Sequence, residues 1–184
     1  MRDMDSSRAV RISKLLSLGL RHQPTVLGLT LDTAGWTNVD DVIAGLAAKG
    51  EVLSASELEH LVESSDKQRF ALSPDGAQIR ANQGHSIAVD LGLAPSEPPE
   101  VLLHGTVTRF FDAIRRQGLL PGARTHVHLS VDEPTAIAVA RRRAGTSGVL
   151  RVRARAMHEA GHVFFLSHNG VWLTRAVPPA FLDV

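Results

Sequence analysis

The feature that most limits the fold of this chain is a proline-rich segment at its midpoint. Residues 93–100 hold three of the nine prolines and show no hydrophobic periodicity, which is typical of a connection between domains. Helical spacing dominates before this segment, and strand-like runs dominate after it. The sequence therefore predicts an α+β protein of two lobes, residues 1–92 and 101–184, joined by a linker at 93–100.

The first lobe is predicted to contain three helices and a hairpin. A helix capped by Ser6 or Ser7 ends before Pro24, because proline cannot continue a helix. The further predicted elements are an extended segment at 26–32, a helix from Asn38 through Ala48, a helix begun by the Ser54–Glu57 capping box, and a hairpin of strands at 69–72 and 77–80. This order is that of a winged-helix module, which often binds nucleic acid.

The second lobe is predicted to be mostly β. Its predicted elements are strands at 101–103, 127–129, 149–153, 163–166 and 170–174, with helices at 108–117 and 134–143. Fold class alone does not define an activity, so the function must be argued from particular side chains.

Several classes of protein are excluded by what the chain lacks. Cysteine is absent, which excludes disulfides, thiolate catalysis and cysteine-based zinc sites. No glycine-rich dinucleotide fingerprint, P-loop or serine nucleophile elbow is present, which disfavours a Rossmann site, an NTPase and a common hydrolase. No apolar stretch approaches the roughly 20 residues that cross a bilayer, and the amino terminus does not have the pattern of a signal peptide. A cytoplasmic location is expected.

Arginine and histidine recur in short clusters, at Arg21-His22, Arg69, His104 and 124–130. An arginine fork matches phosphate oxygens and keeps its charge at any working pH. The net charge is only +1, so the chain lacks the basic field of a nonspecific nucleic-acid binder. The pattern therefore predicts a local clamp for phosphate on a nucleotide or nucleic acid.

Taken singly, these clusters have simpler explanations. A cation such as Arg21 at a helix carboxyl end is favoured by the helix dipole alone, and Arg69 and Arg124 could be ordinary surface residues. His104-Gly105-Thr106 is a stronger signal, since glycine at a strand end lets a ligand approach the backbone.

Two further patterns are not expected to belong to the site. Residues 158–162 fit the H-E-x-x-H pattern of zinc enzymes, but a surface connector is the preferred interpretation because Gly161 disfavours a long helix, and no metal is predicted. Arg141–Arg143 and the alternating arginines at 151–155 are interpreted as solvated faces, with contact to an RNA backbone as the alternative.

Several ordered motifs together resemble the RNA 2′-phosphotransferase family, known as KptA in bacteria. They are 20–24 (LRHQP), 35–36 (GW), 65–70 (SDKQRF), 79–86 (IRANQGHS), 104–106 (HGT), 126–130 (HVHLS) and 169–174 (NGVWLT). The similarity runs from about Ser13 to Leu182, over nearly the whole chain.

The resemblance implies an amino-terminal winged-helix RNA-binding lobe and a carboxyl-terminal lobe like the ADP-ribosyltransferases, which binds NAD as co-substrate, with the active site in the cleft between them. It implies that an internal 2′-phosphate of a tRNA-like RNA attacks NAD and expels nicotinamide. The RNA-2′-phospho-ADP-ribose intermediate then yields 2′-OH RNA and ADP-ribose 1″,2″-cyclic phosphate. tRNA splicing and RNA repair are the processes in which such a substrate arises.

The resemblance also implies which residues act. The family's catalytic tetrad corresponds to Arg21, His22, Arg69 and Arg124, with His22 assigned mainly to the second step. The NAD-binding residues correspond to His104, Gly105, Thr106, His128, Leu129 and Ser130. Leu103 stands where many relatives have tyrosine, so a change in affinity is expected there rather than a loss of activity.

Two other functions remain open from the sequence. One is an ADP-ribosyltransferase that caps terminal phosphates of RNA or DNA and stops at the first product. The other is a module that binds RNA and NAD without catalysis, which the full set of four tetrad residues disfavours. A monomer suffices for any of these functions.

Overall fold

The computed structural model describes residues 5–183, which divide into two compact units with the boundary between Gly92 and Leu93. Residues 93–100 belong to the second unit rather than standing apart from it. Pro95 pairs with Phe165, and the Arg155 guanidinium donates to the carbonyl oxygen of Pro98. Among the described residues, no helix has the length and apolar character needed to span a membrane.

The first unit packs three helices against a small antiparallel sheet. Its elements are α1 (Ser6–Arg21), β1 (Thr37–Asn38), α2 (Val39–Ala47), α3 (Ala55–Glu63), β2 (Phe70–Leu72) and β3 (Gln78–Ala81). The strands lie in the order β1-β3-β2. Buried side chains from all three helices and from β2 and β3 form one hydrophobic core, in which Ile12, Leu16 and Ile79 are fully inaccessible.

Local capping chemistry explains where the helices of this unit begin. Ser54 and Glu57 form the predicted capping box at the start of α3, which confirms that prediction. The prediction that Ser6 or Ser7 caps α1 is wrong, because the carboxylate of Asp5 accepts from the backbone N–H of Ser7. Asn38 does precede α2, but its side chain makes no capping hydrogen bond.

The predicted extended segment at 26–32 is wrong. Pro24–Leu27 form a 3₁₀ turn that ends at Gly28, whose φ of 67° is left-handed. Close packing against α2 causes this shape, since a Cβ on Gly45 would lie 2.2 Å from the carbonyl oxygen of Leu27. The first strand begins only at Thr37.

The second unit is built on two three-stranded antiparallel sheets. Its elements are β4 (Val101–Val107), α4 (Phe111–Gln117), β5 (Val127–Leu129), α5 (Glu133–Ala140), β6 (Ser147–Arg153), α6 (Ala154–Glu159), β7 (Phe164–Leu166), β8 (Trp172–Thr174) and β9 (Leu182–Asp183). The sheets have the orders β4-β6-β9 and β5-β8-β7. They are joined where Leu103 and Ser130 exchange two backbone hydrogen bonds of 2.8 Å.

Three predicted boundaries in this unit are corrected. Residues 108–110 form a 3₁₀ turn before α4, and α5 ends at Ala140 rather than at Arg143. The last predicted strand begins at Trp172, because residues 167–170 make a hydrogen-bonded turn.

The histidines of the H-E-x-x-H pattern contact separate aromatic rings. His158 lies in the short helix α6, so the predicted connector is helical in its first part. The His158 ring packs edge-on against Phe164, and the His162 ring packs against Phe181. Over residues 5–183, no three histidine, aspartate or glutamate side chains are grouped as a metal site would require.

Candidate functional site

The predicted catalytic residues Arg21 and Arg69 lie side by side in the first unit. Arg21 is the last residue of α1, and its Nη2 donates to the carbonyl oxygen of Arg69 over 3.2 Å. Its guanidinium carbon is 5.8 Å from the centre of the Phe70 ring, a distance at which a cation is attracted to the ring face. The arginine is therefore positioned by both the backbone and the side chain of the strand that follows Gln68.

The segment 84–86 holds the carboxyl end of α1. The backbone N–H of Ser86 donates to the carbonyl oxygen of Arg21, and its Oγ is 2.9 Å from Nδ1 of His22. Gly84 has a left-handed φ of 89°, and a Cβ there would be 3.6 Å from the Arg21 guanidinium. Ser86 thus fixes the ring orientation of His22, a role that its place in a quoted motif did not reveal.

A strained turn presents Arg69. Gln68 has a φ of 38°, which is uncommon for a residue with a side chain and persists only where its surroundings enforce it. Asn82 enforces this conformation. Its Nδ2 donates to the carbonyl oxygen of Gln68 over 2.6 Å, and its backbone N–H donates to the carbonyl oxygen of Arg69. The Arg69 side chain reaches back to α1, where Nη1 lies 3.4 Å from Ser13 Oγ.

A buried histidine lies behind this cluster. His85 is only 2% exposed, and its Nε2 has no hydrogen-bond partner among the described residues. Burial, together with the charges of Arg21, His22 and Arg80, lowers the pKa of His85 to about 4. The ring is therefore neutral at pH 7 and adds no charge of its own beside the two arginines.

In the second unit, two histidines and Arg124 form a hydrogen-bonded chain. The ring of His104 has its Nδ1 3.0 Å from the carbonyl oxygen of His128, and Arg124 Nη1 lies 3.2 Å from His128 Nδ1. A carbonyl only accepts and a guanidinium only donates. His104 therefore carries its proton on Nδ1 and has Nε2 as an acceptor, whereas His128 accepts at Nδ1 and carries its proton on Nε2.

Positive charge surrounds this chain. Burial, followed by the charges of Arg143 and Arg124, lowers the pKa of His104. Partial burial of its guanidinium and the charges of Arg142 and Arg143 also lower the pKa of Arg124, although the residue as a whole is exposed. Like charges gathered in this way create a potential that attracts an anion.

The remaining predicted cofactor residues have different surroundings. A Cβ on Gly105 would lie 1.7 Å from the carbonyl oxygen of Ala136, so glycine is required there for α5 to pack on β4. Leu129 is 1% exposed and belongs to the hydrophobic core, and Thr106 is 6% exposed. Ser130 is half-buried and pairs its backbone with Leu103.

The structure thus brings Arg21, His22 and Arg69 together in the first unit and places Arg124 beside His104 and His128 in the second. Asn82, His85 and Ser86 were quoted in a motif but were not predicted as site residues. Their contacts join residues far apart in sequence, such as Asn82 with Gln68, so no local pattern identifies them.

Comparison with known proteins identifies the family of this chain. Residues 7–176 match the family described as RNA 2′-phosphotransferase, Tpt1/KptA. Proteins named probable RNA 2′-phosphotransferase are similar over nearly their whole length: one from Streptomyces griseus is 54% identical, covering 97% of this chain and 98% of the relative, and one from Burkholderia lata is 52% identical, covering 98% and 93%. A Pseudomonas aeruginosa relative of the same name is 52% identical over 97% of this chain and 98% of its own length. The chain therefore belongs to the RNA 2′-phosphotransferase family of transferases.

Proposed function

We propose that this enzyme transfers an internal 2′-phosphate of a tRNA-like RNA to NAD. The RNA 2′-phosphate displaces nicotinamide to form RNA-2′-phospho-ADP-ribose, and attack by the ribose O2″ on that phosphate then releases 2′-OH RNA and ADP-ribose 1″,2″-cyclic phosphate. The observation that carries the proposal is the grouping of Arg21, His22 and Arg69 on one unit, where the Arg21 guanidinium donates to the carbonyl oxygen of Arg69 and the Arg69 guanidinium reaches Ser13 Oγ.

In the first step, the arginines bind and orient the nucleophile. Arg21 and Arg69, with Arg124 as the fourth member of the tetrad, hold the 2′-phosphate through charge-assisted hydrogen bonds. A phosphate monoester has a second pKa of about 6 and is mostly a dianion at neutral pH. It needs no general base, which fits a cluster whose polar side chains are arginine, histidine, serine and asparagine.

In the second step, His22 acts on the phosphate. Its Nδ1 lies 2.9 Å from Ser86 Oγ, and the ring is assigned to donate to a phosphoryl oxygen or to assist proton transfer. The arginines offset the charge that builds on the phosphoryl oxygens, where preorganised donors have their largest effect.

The second unit offers groups that suit NAD, which supplies the ribosyl carbon and the nicotinamide leaving group. The acceptor Nε2 of neutral His104 fits an amide or hydroxyl donor, and the charges of Arg142 and Arg143 fit a pyrophosphate. In this proposal His104, His128 and Ser130 bind NAD with their polar groups. Gly105 and Thr106 in β4 and Leu129 in β5 belong to the strands that carry these groups.

The lobe identities belong to the same proposal. The first unit has the helix order and the three-stranded antiparallel sheet expected of a winged-helix RNA-binding module. The second unit, mostly β with sheets joined at Leu103 and Ser130, is taken as the ADP-ribosyltransferase-like lobe.

Single-turnover reaction with NAD and a short RNA carrying one labelled internal 2′-phosphate tests the proposal. We expect 2′-OH RNA and the cyclic phosphate to appear, with RNA-2′-phospho-ADP-ribose as a transient species. Accumulation of an ADP-ribosylated RNA that never resolves would favour a capping transferase. Absence of any NAD-dependent product would leave only a binding module and overturn the proposal.

A further inference from the structure

The first unit contains a groove that extends well beyond the predicted site residues. It lies between α1 and α3, has a volume of about 670 Å³ and is called here the α1–α3 groove. Beyond the predicted site residues, its polar lining includes Ser13, Lys14 and Ser17 from α1, with His60, Ser64 and Ser65 from α3 and the residues after it. This volume falls within the roughly 300–1,000 Å³ of sites that hold one small ligand, which suits a few nucleotides of one strand rather than a duplex.

The described lining carries positive charge. Residues 1–92 contain more acidic than basic side chains, 12 against 9, yet within residues 5–183 no aspartate or glutamate lines the groove. Two other cations of α1, Arg8 and Arg11, share the carboxylate of Glu51. Lys14, on the same helix, is exposed and forms no ion pair within residues 5–183. A cation left without a carboxylate beside a groove is the arrangement expected for an anionic ligand.

The groove is continuous with the proposed phosphate clamp. Its lining includes His22 and Arg69, and the contact from Arg69 Nη1 to Ser13 Oγ joins the clamp to α1. A strand whose 2′-phosphate is held by Arg69 therefore has its neighbouring nucleotides beside Ser13, Ser17 and Lys14. Serine hydroxyls and a lysine are common partners of phosphate and sugar oxygens.

We propose that the α1–α3 groove binds the sugar-phosphate backbone of the single-stranded RNA next to the 2′-phosphate, with Lys14 contacting a flanking phosphate. The inference rests on the proposed function, because it assigns RNA to this unit. It adds a subsite that favours a 2′-phosphate within an RNA strand over the same group on a short fragment.

Direct binding tests this subsite independently of turnover. The probe is a fluorescently labelled single-stranded RNA with one internal 2′-phosphate, and a 2′-phosphorylated dinucleotide serves as the short competitor. One ionic contact to a single strand contributes about 0.7 to the slope of log affinity against log salt concentration. At about 0.1 M salt, this contribution raises the binding affinity about fivefold. We expect Lys14→Ala to weaken binding of the oligonucleotide by that factor, to lower its salt slope by about 0.7, and to leave competition by the dinucleotide unchanged.

Lys49→Ala is the matched control, because Lys49 is an exposed lysine of the same unit that does not line the groove. Lys14→Glu provides a second variant, and we expect it to weaken binding further than Lys14→Ala. Equal affinities and salt slopes for wild type, Lys14→Ala and Lys14→Glu would overturn the inference, as would equal losses in Lys49→Ala. If the groove variants lose binding but wild type releases no nicotinamide from NAD, the subsite stands and the proposed function fails.

Discussion

The two units prepare their polar groups in opposite ways. In the first unit, backbone contacts and a strained turn hold cations, as when the Arg69 carbonyl anchors Arg21 and Asn82 fixes the turn at Gln68. In the second unit, burial and neighbouring arginines keep an imidazole neutral, so that His104 offers an acceptor nitrogen. Fixed cations suit a reacting phosphate, whereas a neutral acceptor beside cations suits a ligand with both hydrogen-bond donors and charge. Under the proposed function, Arg21 and Arg69 act on the phosphate, whereas His104 binds the co-substrate.

The largest expected effect is on His22, the imidazole that the first unit holds beside its cations. His22→Ala removes the group assigned to the second step, and general acid–base groups contribute about 10²–10⁴-fold. We expect the second step to slow by about 10³-fold while the first slows far less, so RNA-2′-phospho-ADP-ribose accumulates in single-turnover gels. Equal slowing of both steps would contradict the assignment.

Ser86→Ala also tests the role of His22 in the second step. It removes the hydroxyl that lies 2.9 Å from His22 Nδ1 and leaves the imidazole in place. We expect a smaller loss in the second step with no loss in the first, and partial recovery in Ser86→Thr. A structural defect would lower both steps together.

Arg69→Ala is expected to have the next largest effect. It removes one positioned donor from the phosphate clamp, and the loss of such a donor typically lowers the rate about 10²–10³-fold. We expect the first step to slow about 10²-fold, because the nucleophile is less well oriented. Arg69→Lys retains the charge but not the fork and should recover only part of the rate. Rates of the first step from rapid-quench experiments, with Lys49→Ala as a charge-loss control outside the cluster, provide the measurement.

Local chemistry made much of the first unit predictable. The capping box at Ser54 and Glu57 involves residues three apart, and the hairpin of β2 and β3 is marked by a turn sequence between two short apolar runs. The end of α1 before Pro24 follows from the geometry of proline. Each of these signals lies within a few residues of the element that it defines.

Contacts between distant segments were not predictable in the same way. The alternating apolar residues at 26–31 suggested a strand, but residues 24–28 fold as a turn because Gly45 lets Leu27 approach α2. Gly105 suggested ligand access, and its closest neighbour is the carbonyl oxygen of Ala136 from a helix about thirty residues later. Sequence patterns named the residues of the candidate site, whereas the contacts that position them depend on tertiary packing.

His85 is an exception to the contrast between the units, because it is a neutral imidazole beside the arginines of the first unit. Its pKa falls from 6.5 in the unfolded chain to about 4 in the folded protein, so the unfolded state binds the additional proton as the pH drops. Stability from this source is fully present above the unfolded pKa and is lost as the pH falls from about 6.5 towards 4. We expect a loss of about 2 kcal/mol between about pH 7 and about pH 5.

Denaturant titrations of wild type and His85→Gln at both pH values measure this loss. The comparison concerns the change with pH, since the substitution itself alters packing at both values. We expect the free energy of unfolding to change less with pH in His85→Gln, by about 2 kcal/mol. An identical pH dependence in the two proteins would show that His85 is not held neutral by the fold.

The smallest effect is expected in the second unit, where His104 tests whether neutrality serves binding. His104→Asn can keep a donor to the His128 carbonyl but has no atom at the position of Nε2, whereas His104→Gln can place an amide near Nε2. Losing one hydrogen bond to a ligand costs about 1.4 kcal/mol, so we expect the KM for NAD to rise about tenfold in His104→Asn with little change in kcat.

Because the pKa of His104 is lowered, the KM of wild type for NAD should stay flat from about pH 8 down to the unperturbed histidine value of about 6.5 and rise only below it. A KM that rises already between those values would mean that His104 becomes protonated near neutral pH, and the second unit would then present a cation as the first unit does.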